Sequence, residues 1–90
     1  MKKPIYKVLS ELDYKAQWIR IYDKRANEWL DIYMNTGNEK AFKNHKAEVK
    51  RVGDKLKAFN ELHDRYLKEG YKFLVYRDKF TAIPYNVTAA

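Results

Sequence analysis

Between Asn38 and Gly70, the residues Phe42, His45, Val49, Val52, Leu56, Phe59, His63 and Tyr66 recur at alternating spacings of three and four. With 3.6 residues per turn, such positions return to one side, so the segment reads as the seam of a long helix that lies against another helix. The preceding segment supplies the partner, with Leu12, Ala16, Ile19, Tyr22, Ala26, Trp29, Leu30 and Tyr33 on one stripe. Between the two stripes, Gly37 suits the left-handed cap that ends a helix, and Asn38 with Glu39 suits the start of the next. A turn this short makes the helices antiparallel neighbours.

The expected fold is therefore mainly α, an antiparallel two-helix hairpin over about 10–36 and 38–69. Ser10 is expected to cap the first helix, with Glu11 and Asp13 in its first turn, and Gly70 to end the second. With the turn centred near residue 37, position i faces about 74 − i, which sets Tyr33 by Phe42, Trp29 by His45, Ala26 by Val49 and Leu12 by His63. Gly53 costs about 1 kcal/mol in a helix interior. A bulky Tyr22 or Trp18 across the seam would account for it, as would a kink.

The first helix carries more apolar surface than one partner can cover, because Tyr14, Trp18, Ile21 and Ile32 lie on another side. Two short segments, 4–9 and 71–76, have the β-branched and aromatic content of strands. They meet at the open end of the hairpin, so a small antiparallel β element is expected from the N-terminal 4–9 and C-terminal 71–83 segments. Residues 80–83 would add a strand after a turn at Arg77-Asp78-Lys79. If that sheet leaves Trp18, Ile21 and Ile32 uncovered, they form a protein interface or a homodimer surface.

Ninety residues make a single domain, 1–90, with a modest core. Cysteine is absent, which rules out a disulfide framework and thiolate metal sites and makes a cytoplasmic location the expectation. The basic N-terminus is not followed by the apolar run of a signal peptide, and no segment suits a bilayer span. Asn86-Val87-Thr88 matches a glycosylation acceptor only as a chance tripeptide.

The net charge of +7 is unevenly spread: residues 38–69 carry nine basic and six acidic groups, whereas 11–37 carry four and five. Lys40, Lys43, Lys46, Lys50, Arg51, Lys55 and Lys57 face only Glu48 and Asp54 within their own stretch. A clustered surplus of this kind makes a binding face for an anionic partner. No glycine-rich phosphate loop, nucleophile elbow or calcium loop accompanies it. His45 and His63 lie about 27 Å apart along one helix and cannot share a metal. The acids Glu61, Asp64, Asp23 and Asp31 have Lys or Arg close by in sequence, which reads as surface pairing. No catalytic residue, cofactor or metal site is expected.

Two classes of function remain open. One is a non-enzymatic nucleic-acid-binding module in which the cationic helix face, helped by Lys2, Lys3 and Lys7, neutralises phosphates without sequence preference. The other is a protein-binding modulator or inhibitor that docks on an acidic surface of a nucleic-acid-processing host protein, with aromatics as anchors. The small, Lys- and Tyr-rich composition would suit a viral or mobile-element accessory protein.

Overall fold

The computed structural model describes residues 2–90 and forms a rod of 53 × 19 × 17 Å. Two antiparallel helices, α1 (Ile5–Thr36) and α2 (Glu39–Lys68), make its length, and an antiparallel hairpin of β1 (Phe73–Arg77) and β2 (Pro84–Ala89) packs at the open end. The turn between the helices forms as its residues dictate. Gly37 adopts φ 71°, and its amide donates to the Tyr33 carbonyl at 2.7 Å. Asn38 Oδ1 accepts from the amides of Lys40 and Ala41, two of the donors that a helix start leaves unpaired. At the other end Gly70, at φ 96°, turns the chain out of α2.

The first helix begins at Ile5 rather than Ser10, so residues 4–9 form no strand. Pro4 precedes the first turn with the fixed φ that a helix entry tolerates, and no side chain caps it. The helical form is favoured because Val8 then extends the buried stripe of Leu12, Ala16 and Ile19, all fully buried. A strand would have broken that stripe at its most buried end.

The β element belongs wholly to the C-terminal segment, and its turn lies later than the sequence suggests. Asp78 Oδ1 accepts from the amides of Phe80 and Thr81 and from the Thr81 hydroxyl, which folds residues 79–81 into the turn. These bonds to the charged form hold the Asp78 carboxyl below its ordinary pKa. Residues 80–83 are thus loop, closed by Ala82 at φ 61°, and the second strand starts at Pro84. Phe73, Ile83 and Val87 are buried and complete one core with Phe59, Leu62, Tyr66, Val8, Leu12, Ala16 and Ile19.

Helix pairing follows the expected register to within a turn. The rings of Tyr33 and Phe42 lie 4.6 Å apart, and His45 Nδ1 is 2.8 Å from the Ala26 carbonyl, one turn from the expected Trp29. The buried positions of α2 are Ala41, Glu48, Phe59, Leu62 and Tyr66, so the seam is rotated from the apolar stripe. Val49 is 48% exposed while Glu48 is 8% exposed, a correction to the seam read from spacing. The reason is geometric: at about 100° per residue Val49 is turned about 100° away from Glu48, off the side of α2 that packs on α1. Gly53 meets neither Tyr22 nor Trp18; a Cβ there would have no neighbour within 4 Å.

Candidate functional site

Lys40, Lys43, Lys46, Lys50, Arg51, Lys55 and Lys57 all lie within α2 and are all exposed, but the helix does not present them as one row. At about 100° per residue, Lys43, Lys46, Lys50 and Lys57 fall within about 60° of one another, opposite the side buried against α1. They form a straight ridge about 21 Å long at 1.5 Å per residue. Lys40 and Arg51 lie on one flank, and Lys55 lies further round toward α1.

The members also differ in what they touch. Arg51 donates to Glu48 Oε1 at 2.7 Å, so its charge is committed to a buried carboxylate whose other oxygen has no partner. Among the described residues the remaining ion pairs are Lys3 with Glu11 and His63 with Asp64. The six lysines of the patch therefore have no carboxylate within 4.0 Å. Lys46 Nζ rests 4.7 Å from the centre of the Phe42 ring, which steadies its stem without neutralising it. Among the described residues Glu61, Asp23 and Asp31 also lack an ion pair, contrary to the surface pairing expected for them.

Lys2, Lys3 and Lys7 sit at the far end of the rod from the interhelix turn, and of the three Lys3 is committed to bonds within the fold. Lys3 donates to Glu11 and, at 3.0 Å, to the Tyr66 hydroxyl, and Tyr66 in turn donates to Glu11. The Lys3 and Tyr66 hydrogen bonds lower the Glu11 pKa, and the Glu11 and Tyr66 bonds raise that of Lys3. The Tyr71 hydroxyl donates to the Lys3 carbonyl at 2.7 Å. This network fastens the chain start to the end of α2.

The sheet packs along the side of α1 that holds Arg20, whose guanidinium donates to the Pro84 carbonyl. Trp18, Ile21 and Ile32 lie on the opposite broad face and remain exposed, so the sheet does not cover them. There Tyr14, Trp18 and Tyr22 follow one another a turn apart, with centroids 6.4 and 5.9 Å apart. Four-residue spacing drifts about 40° per step, so this ladder curls from solvent at Tyr14 into the helix seam at Tyr22. Together with Lys15, Lys55 and Ala58 it lines an open groove of about 350 Å³. Lys15 is a groove residue that charge counting missed; the i, i+4, i+8 aromatic spacing was the signal that could have led to it.

Among the described residues no cluster of three or more His, Asp or Glu side chains could hold a metal ion. No described helix is long and apolar enough to cross a membrane. No protein-family model matches the chain, and comparison with curated proteins and with solved structures returns no significant match.

Proposed function

We propose that this protein is a non-enzymatic binding module that grips the phosphate backbone of nucleic acid with the outer ridge of α2. One observation carries the reading: Lys43, Lys46, Lys50 and Lys57 share an exposed side on which Asp54 is the only acid between Lys43 and Lys57, with Glu39 and Glu61 a turn beyond its two ends, and among the described residues none of the four lysines is ion-paired. Phosphates along a strand recur about every 3.4 Å of duplex axis, so a ridge about 21 Å long can engage several at once. Flexible ammonium groups act as point charges and read no base edge, which makes the affinity sequence-tolerant. The proposal places the protein in the cytoplasm.

The test is a titration against random duplex DNA between 50 and 200 mM salt. Four phosphate contacts give a slope of about −3.6 in log K against log salt, or roughly a 150-fold loss over that range. Lys46→Glu with Lys50→Glu should cut affinity sharply and about halve the slope. Binding indifferent to salt or to that double reversal would refute the proposal.

The uncovered Trp18, Ile21 and Ile32 support a second reading, a modulator or inhibitor of viral or mobile-element type docked on an acidic protein surface or paired with its own copy. Recovery of one acidic partner from lysate, lost in Trp18→Ala, would favour it over the first.

A further inference from the structure

We infer that the groove between α1 and α2 is a second binding site, one that takes an unpaired base of single-stranded nucleic acid against Trp18 with its phosphate held by Lys15 and Lys55. The inference rests on the nucleic-acid reading for its ligand class, yet uses a different face of α2 from the ridge.

Three aromatic rings and two ammonium groups surround about 350 Å³, and no carboxylate is among them. Neither Lys15 nor Lys55 is ion-paired among the described residues, so the groove carries unneutralised positive charge beside π surface. Tyr14 is 62% exposed and Trp18 36%, so ring surface is available without rearrangement. A ligand that is both anionic and planar satisfies both features. A nucleotide of a single strand is both, and base stacking on aromatics beside a basic track is how such strands are held without sequence preference.

Other occupants match less well. A second copy of this chain would bring another +7 surface toward the same lysines. A duplex keeps its bases stacked inside and cannot offer one to Trp18. The ridge serves duplex and single strand alike, because both present phosphates; only the groove distinguishes them.

The experiment compares three probes of equal length at one salt concentration: oligothymidylate, an abasic single strand and a random duplex. Wild type should bind oligothymidylate about tenfold more tightly than the abasic strand, the scale of one stacked base. Trp18→Ala should erase that difference and leave duplex affinity unchanged, and Trp18→Leu, which keeps apolar bulk without a π face, should do the same if the alanine variant is unstable. In a Trp29→Phe background, Trp18 emission should be quenched by oligothymidylate and not by the abasic strand. Equal affinity for the base-bearing and abasic strands would overturn the inference. So would a Trp18-dependent dimer in sedimentation. Loss of duplex binding with the base-dependent difference intact would sink the ridge and leave the groove standing.

Discussion

Glu48 shows how one residue's role is set by its surroundings. It occupies a seam position, where its carboxylate is half satisfied by Arg51 and otherwise unpartnered. A buried ion pair with an open valence gives little net stability, but breaking it from one side leaves a stranded charge. Arg51→Ala should therefore destabilise the fold by roughly 1–2 kcal/mol, and adding Glu48→Met should recover most of that loss. Urea midpoints for the single and double variants check this; a double variant no better than the single would contradict it. Charge counting could not detect the pair, because it treats Arg51 as equivalent to Lys50. Only the neighbour one turn away distinguishes a structural cation from a free one.

At the scale of elements, α2 carries a defect with no compensating contact. Gly53 faces open space, so neither aromatic packing nor crowding requires it. Gly53→Ala should stabilise the protein by about 1 kcal/mol through helix propensity and a less flexible unfolded chain. A thermal melt that fails to rise would show that Gly53 serves something the helix geometry does not reveal. The helix boundaries at Gly37, Asn38 and Gly70 were legible because capping is a local interaction, decided within a few residues. The start of α1 was not: a short run such as Ile5-Tyr6-Lys7-Val8-Leu9 satisfies strand and helix patterns alike. Its conformation follows from Val8 joining the core below it. The second turn was misplaced for a similar reason, since Asp78 organises it through side-chain bonds rather than through glycine.

Across the whole molecule, the Lys3–Glu11–Tyr66 network ties the chain start to the far end of α2. Glu11 has a lowered pKa when folded, so its contribution is fully present above its ordinary value of 4.5 and is lost as pH falls from there through the folded-state value. At neutral pH Glu11→Gln should cost about 1 kcal/mol, a figure discounted for a side chain 40% exposed. The stability gap between wild type and Glu11→Gln should then narrow as pH is lowered below 4.5, since Asp78 and the other carboxylates are common to both. A gap that stays constant down that range would rule out the linkage. The ridge lies along the same rod but responds to salt, because its exposed lysines are screened.

What the sequence by itself determined was the helical hairpin, its turn and the presence of a cationic face, because periodicity, caps and charge spacing act along one chain segment at a time. Tertiary structure alone decided which cations are free, which seam position is buried and which apolar side stays open. The last of these depends on the one broad face of α1 that the β hairpin covers. Packing is a property of segments that are distant in sequence, and the side of α1 chosen by Ile83, Pro84 and Val87 left Trp18 and its neighbours beside Lys55.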